Sequence, residues 1–454
     1  MRTLVFVLGL FVLSFCMLHP KSNPVDVRTP NSFTVQNLTT GLDYASIQAS
    51  IDAKETLDGH TILVDAGTYY EHIIVNKTVS LVGERSETTI IDGGGYGTVV
   101  RIWADGVKIS NFTIQNIGPP SPELPPPMDG ISAHFSNGRI SNNIIEHNGD
   151  GIVLVFSNNN TITGNKVSEN EYGIRLDSSS NNTVSNNEVS SNKKHGIYLW
   201  WDSNNNTLTD NKISENEYGI YLDQSGNNAL THNQVSNNNY GIHFRHSSEN
   251  IFIGNAVLNN EYGIYLNYSR INSIYHNNLN NTCQAYASDS YNSWDDGYPS
   301  GGNYWSDYVG VDLKTWPFPY SNTSDGIGDL PYTIDATNID RYPLMGSFNT
   351  FYVGTWDGAA YKINLTSNST VSDFYINQEE GPFFRFNVTG QDGTKGFCRV
   401  DFLDTLLQGP YIITVDGAQV NFEIVEKILE NDTHYFLYFT YNHSTKTVQI
   451  QGTH

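Results

Sequence analysis

One phrase recurs along the chain and limits what it can fold into. A Gly-Ile pair is followed by a second apolar residue and a Ser/Asn corner. Then comes a variant of N-x-I-x-x-N-x-V-x-x-N-x-Y. The glycines are Gly130, Gly151, Gly173, Gly196, Gly219, Gly241 and Gly263, spaced by 21, 22, 23, 23, 22 and 22 residues. A fixed period of this length marks an array of stacked units. No helical periodicity fits, because each unit holds short alternating runs broken at Asn/Ser corners. About 22 residues give room for three short strands and three turns, one rung of a parallel β-helix whose rungs stack about 4.8 Å apart.

Strand parity assigns the interior. Ile152/Leu154, Ile174/Leu176, Ile197/Leu199, Ile220/Leu222, Ile242/Phe244 and Ile264/Leu266 form one inward column. Ile162, Val184, Leu208, Leu230, Phe252 and Ile274 form a second, and Val167, Val189, Ile213, Val235, Val257 and Leu279 a third. Two Asn columns are equally regular. One runs from Asn143 through Asn165, Asn187, Asn211, Asn233 and Asn255 to Asn277, the other from Asn148 through Asn170, Asn192, Asn216 and Asn238 to Asn260. Asn tolerates the left-handed corner conformation, and its amide can bond to the next rung, so these read as turn ladders.

The rungs resemble the right-handed parallel β-helix repeats of the pectin-lyase-like superfamily, above all the NosD-like repeats, also described as the carbohydrate-binding and sugar-hydrolysis repeat domain. The likeness spans roughly residues 40 to 345. Ser46-Ile47-Gln48-Ala49, Thr61–Val64, Gly67–Glu71 and Leu81–Glu84 resemble the opening of such chains and imply a capping helix and first rungs. Asn292–Tyr308, Asp325–Asp329 and Arg341–Met345 resemble their closing element. The resemblance implies an all-β fold. It does not fix a reaction, because the superfamily holds enzymes, binders and inert scaffolds.

Four segments follow. Residues 1–22 contain the apolar run Leu4–Leu18 behind Arg2, too short for a full span and suited to a signal peptide or signal anchor. Residues 23–284 are the β-helix with its N-terminal cap, interrupted at 118–128 by a segment with six prolines that reads as a stiff rim loop. Residues 285–347, rich in Gly, Asp, Trp and Tyr, are read as the C-terminal cap that a solenoid edge needs. Residues 348–454 alternate as seven or eight strands, including Phe351–Asn364 and Val420–Ile428, and predict a smaller accessory β-sandwich.

The chain of 454 residues has a formal net charge of −23, yet only 16% of its residues are charged. This acidic, neutral-polar balance argues against nucleic acid and anionic membrane as partners. Export fits an extracellular or cell-surface location. Without Cys16, two cysteines remain, Cys283 and Cys398; these read as unpaired thiols, with pairing left open. About fourteen N-x-S/T sequons occur, among them Asn159, Asn181, Asn205, Asn368 and Asn442, as expected of an exported glycoprotein.

On the Gly-Ile strand, the residues between the inward ones face outward. They include Arg175, Asp177, Tyr198, Trp200, Tyr221, Asp223, His243, Arg245 and Tyr265, with Trp201 and His246 just beyond. Aromatic faces stack on sugar rings, and carboxylate and guanidinium groups bond to hydroxyls. The stripe therefore reads as a surface for extracellular polysaccharide, against the plain alternative of a solvated sheet face on a structural scaffold. Asp177 and Asp223, two rungs or roughly 10 Å apart, are the candidates for a hydrolase or lyase. The NosD resemblance implies copper, for which His243 and His246, or His232 and His276, are the nearest approach to a ligand set. No cofactor is required, and calcium at Asp325 and Asp329 in the cap is the metal its carboxylates suggest.

Overall fold

The computed structural model describes residues 34–116, 128–313, 323–356, 359–377, 381–429 and 432–453. The N-terminal apolar run and nearly all of the Pro-rich segment lie outside these residues.

The repeats form a right-handed parallel β-helix with three sheets. Within one rung, Tyr172–Asp177 lies in the ten-stranded sheet, Thr183–Ser185 in the thirteen-stranded sheet and Glu188–Ser190 in the eleven-stranded sheet. We call these the GI sheet, the T sheet and the K sheet, after their outward or leading residues. Register is strict. Ile174 pairs with Ile152 and Ile197, Val184 with Ile162 and Leu208, and Val189 with Val167 and Ile213. All three inward columns expected from parity are sealed, with exposures of 0–1%. A one-residue slip would turn every one of these side chains to solvent, so the pattern fixes the register.

The corners close polar ladders. Asn187 accepts at Oδ1 from the backbone N–H of Asn165 (3.0 Å) and from its amide (3.0 Å). Its own amide donates to the Ile162 carbonyl (3.0 Å) and to Asn211 Oδ1 (3.0 Å). The second predicted column does the same from Asn148 to Asn260. A third ladder, through Asn160, Asn182, Asn206, Asn228, Asn250 and Asn272, and a Ser ladder from Ser157 to Ser290 occupy the remaining corner. Corner backbone that would otherwise be buried unpaired is thereby satisfied. The Gly column is needed where the K sheet turns into the GI sheet. A Cβ on Gly196 would lie 2.7 Å from the Gly219 carbonyl oxygen and 2.7 Å from the Ile213 side chain.

The helix Ile47–Asp52, N-capped by Ser46, sits at the N-terminal end as the opening motif implies. Glu71 accepts from the N–H groups of Ile47 and Gln48 (both 3.0 Å), so this motif residue holds the helix start. At the other end Trp294 and Trp305 cover the last rungs. Their indole N–H groups donate to Asn338 (3.1 Å) and Asp340 (2.8 Å).

The C-terminal domain is a β-sandwich of two five-stranded antiparallel sheets around Leu365, Phe384, Phe386, Val400, Phe402, Leu437 and Ile450. Ten strands replace the expected seven or eight. Phe351–Asn364 folds back on itself as Ser347–Trp356 and Ala359–Ser367. Val420–Ile428 is preceded by a short strand, Ala418–Gln419, that belongs to the opposite sheet from Phe422–Leu429. Cys283 and Cys398 are both free thiols.

Candidate functional site

The three sheets share one interior but differ outside. The T sheet shows mostly small residues such as Thr183, Thr207 and Thr231, and the K sheet shows Lys166, Glu188, Lys212 and Gln234. The GI sheet carries the aromatic and charged residues. Its central outward column runs Arg175, Tyr198, Tyr221, His243, Tyr265, Tyr286 in unbroken register. Beside it lies Asp177, Trp200, Asp223, Arg245. A third column, missed by the Gly-Ile parity argument, is built from the residue before each glycine: Asp150, Tyr172, His195, Tyr218, Tyr240 and Tyr262. The same 22-residue period would have revealed it.

The rings of these columns are packed on one another. Tyr198 and Tyr221 stack at 5.1 Å and 10°, Tyr218 and Tyr240 at 4.8 Å and 10°, and Tyr240 and Tyr262 at 5.1 Å and 10°. His195 is wedged edge-on among Tyr172, Tyr198, Tyr218 and Tyr221 at 4.6–5.1 Å. This corrects the expectation that flat faces lie open to a sugar. Parallel strands bring successive rings within stacking distance, so faces such as those between Tyr198 and Tyr221 and between Tyr218 and Tyr240 are covered, while Tyr265 meets Tyr240, His243 and Tyr262 edge-on.

The charges are also committed. Arg175 bridges Asp150 (2.9 Å) and Asp177 (3.3 Å) and lies over the Trp200 ring at 5.4 Å. Arg245 holds Asp223 (2.9 Å). Asp177 and Asp223 are therefore ion-pair partners and not a free carboxylate pair. A second acid pair, absent from the sequence argument, lies at the N-terminal end of the array. Asp129 and Asp150 occupy adjacent rungs and are both buried. Burial, and then the charge of Asp150, push the Asp129 carboxyl up to about 7. Burial also raises Asp150, opposed by Arg175. Burial lowers His195 and His243 to about 4, so both are neutral. Burial and the neighbouring Asp223 push Tyr221 up to about 12.

Trp201 leaves the sheet at the corner, 54% exposed and with φ 45°. His246 is at the same corner, stacked on Tyr268 at 5.1 Å, while His243 stacks on Tyr221 within the sheet. His276 is buried against Phe348, with Nε2 3.1 Å from the Ser300 carbonyl oxygen. These imidazoles are engaged separately, and the donor set does not fit copper. Asp325 and Asp329 accept backbone N–H groups of Ile327 (3.0 Å) and Leu313 (2.8 Å), so each pins a cap loop. Among the described residues no group of three or more His, Cys, Asp or Glu side chains could hold a metal ion.

Residues 98–310 match the family model described as NosD, periplasmic copper-binding protein. This is a NosD-like parallel β-helix protein. The match covers the rungs that carry the aromatic array and excludes the sandwich. A cell surface glycoprotein of Methanothermus fervidus is 35% identical over 103 residues, covering 18% of this chain. The chain spans only 17% of the length of that relative. Solved structures with a similar course include the Dettilon tailspike protein, with 12% identity and a TM-score of 0.42 over 86% of each chain. Another is the A-module of an Azotobacter vinelandii mannuronan C-5 epimerase, with 15% identity and a TM-score of 0.40 over 54% of this chain and 94% of that one. Pectate lyase Pel9A gives 15% and 0.41 over 60% and 78%. No helix among the described residues is long and apolar enough to cross a membrane.

Proposed function

We propose that this NosD-like chain is a cell-surface β-helix protein that holds extracellular polysaccharide along the outer face of its GI sheet. The observation that carries this reading is the asymmetry of the three outer faces. Among the described residues the GI sheet is the one that stacks Tyr, His and Trp rung after rung, whereas all three sheets are parallel and seal apolar columns inward. Packing does not require this, since Thr and Lys serve on the other two faces. The rim of phenol hydroxyls and ring edges, with the Arg175 and Arg245 ion pairs, offers donors and acceptors at every rung to a chain of sugar hydroxyls. The net charge of −23 favours neutral glycans over polyuronates. A surface location is supported by the name of the Methanothermus relative.

The test is a glycan array probed with the full exported chain and with a Tyr198→Ala, Tyr221→Ala variant. Binding of neutral polysaccharides by the wild type, reduced at least about tenfold in the variant, is expected, since losing stacked aromatic anchors costs more than about 1.4 kcal/mol. A wild type that binds no glycan contradicts the proposal.

A second reading, polysaccharide cleavage, is favoured by the buried Asp129–Asp150 pair, because a carboxyl pushed up to about 7 beside one bridged by Arg175 resembles an acid–base arrangement. Cleavage products that vanish with Asp129→Asn would support it. A wild type without cleavage of any glycan it binds would remove it.

A further inference from the structure

The corner joining the GI sheet to the T sheet carries a feature that the binding face does not explain. Ser157 and Asn160 point inward into their ladders, so Phe156 and Asn159 project outward from the same turn. The same holds two rungs on, where Ser203 and Asn206 are buried and Trp201 and Asn205 are exposed. Phe156 is 73% exposed with φ 48°, and Trp201 is 54% exposed with φ 45°. A bulky residue in the left-handed region is strained, and a bare ring gains nothing from burial. Ser178 and Gln224 hold this turn in the rungs between and after, and farther on His246 and Tyr268 hold it with φ 49° and 50° but cover each other by stacking at 5.1 Å, as Phe156 and Trp201, two rungs apart, do not. Retention of strain at an exposed site points to a ligand.

The ligand is indicated by what shares the turn. Asn159, Asn181 and Asn205 are exposed, have φ of 59°, 59° and 56°, and each opens an N-x-T sequon. The sequon threonines Thr161, Thr183 and Thr207 are in register on the T sheet, and the next rung breaks the motif with Ala229. An aromatic ring precedes the first acceptor by three residues and the third by four, while Ser178 precedes the middle one.

We propose that Asn159 and Asn205 carry N-linked glycans whose first sugar lies on the rings of Phe156 and Trp201, and that Asn181 between them stays largely unmodified. The co-reactant is a lipid-phosphate-linked oligosaccharide, used by a transferase of the exporting cell. The Asn Nδ2 forms a bond to the anomeric carbon as the bond from that carbon to the phosphate oxygen breaks. The amide proton goes to a base, the lipid phosphate leaves, and nothing is oxidised or reduced. Adjacent acceptors are one rung apart, about 4.8 Å, which is narrower than a substituted sugar ring. Acceptors two rungs apart, roughly 10 Å, leave room for one glycan each. A chain modified at all three cannot close its rungs without pushing the glycans apart, so the folded population shows the alternation. Asn37 supplies an internal control. It too opens a sequon, but its amide is fully buried and donates to Thr56 (2.9 Å).

The experiment is mass spectrometry of intact glycopeptides from the full chain recovered folded from its exporting host. Most molecules are expected to carry sugar at Asn159 and Asn205, a small fraction at Asn181 and none at Asn37. In Asn159→Gln, Asn205→Gln the occupancy of Asn181 should rise several-fold. Enzymatic removal of the glycans should lower the melting temperature of the wild type and leave that of Phe156→Ala, Trp201→Ala unchanged. Unmodified Asn159 and Asn205, an Asn181 occupied as fully as its neighbours, or an equal thermal loss in the ring variant each overturns the proposal. None of these readouts depends on whether the GI sheet binds polysaccharide.

Discussion

The GI sheet and the K sheet are two walls of one tube; the GI strands are longer, six residues against three, and the chemical contrast lies on the outside. Inward, Ile174 and Leu176 in one and Val189 in the other are equally sealed. Outward, the K sheet shows Lys166, Glu188, Lys212 and Gln234, while the GI sheet shows two touching columns of rings and part-buried ion pairs. Interior and ladders are what a β-helix needs to stand, and the K sheet is such a wall with little added. The rings, the Arg175 bridge and the Asp129–Asp150 pair are additions that standing does not require. They are the features on which the proposed binding face rests.

The comparison is broken most severely from within. Replacing Asn192 by Ala strips the Asn170 N–H and the Val167 carbonyl of their Asn192 partners and interrupts the ladder at the corner joining the two walls. Each orphaned buried group costs about 1–3 kcal/mol, so a loss of roughly 4 kcal/mol is expected in denaturant melts. A loss below about 1 kcal/mol would show that the ladder is decoration.

A smaller effect sharpens the contrast through pH. The Asp129 carboxyl is held near 7 in the fold, above the value of about 3.9 in an unfolded chain. The folded state therefore binds this proton more tightly. The stability it gives is complete below about pH 4 and is lost as pH rises through 7. His195 and His243, lowered to about 4, act in the opposite sense and lose stability as pH falls from about 6.5 to 4. Asp129→Asn should flatten the fall in melting temperature between pH 5 and pH 8. Identical slopes for variant and wild type would contradict a buried proton on the GI face. The smallest expected effect is that of calcium or a chelator on the melting temperature, which should be nil, since Asp325 and Asp329 already hold backbone N–H groups.

Much of the tube was legible because it repeats. One 22-residue comparison yields three inward columns, two Asn ladders and the outward stripe, and each rung checks the last. The third Asn ladder, through Asn160 and Asn182, and the Tyr172–Tyr262 column follow the same period and were within reach of the same argument. Ring orientation was not. Sequence places Tyr198 above Tyr221, but the side-chain rotation that turns one face onto the next depends on packing between rungs. The Asp129–Asp150 pair was hidden because its column holds Tyr and His elsewhere, so it appears as a departure from the repeat. In the sandwich no position recurs. Nothing local distinguishes one bent strand from the hairpin of Ser347–Trp356 with Ala359–Ser367, the second of which also pairs with the distant Lys395–Leu403.

The measurement that bears most directly on the account sets the two walls against each other on the same glycan array. Tyr198→Ala, Tyr221→Ala alters the GI sheet, and Lys212→Ala, Gln234→Ala alters the K sheet in the same two rungs. The account predicts that the first variant loses neutral-polysaccharide binding, the second binds as the wild type does, and both keep the wild-type fold by circular dichroism. Equal loss in both, or binding untouched in the first, would contradict the assignment of the GI sheet as the working face.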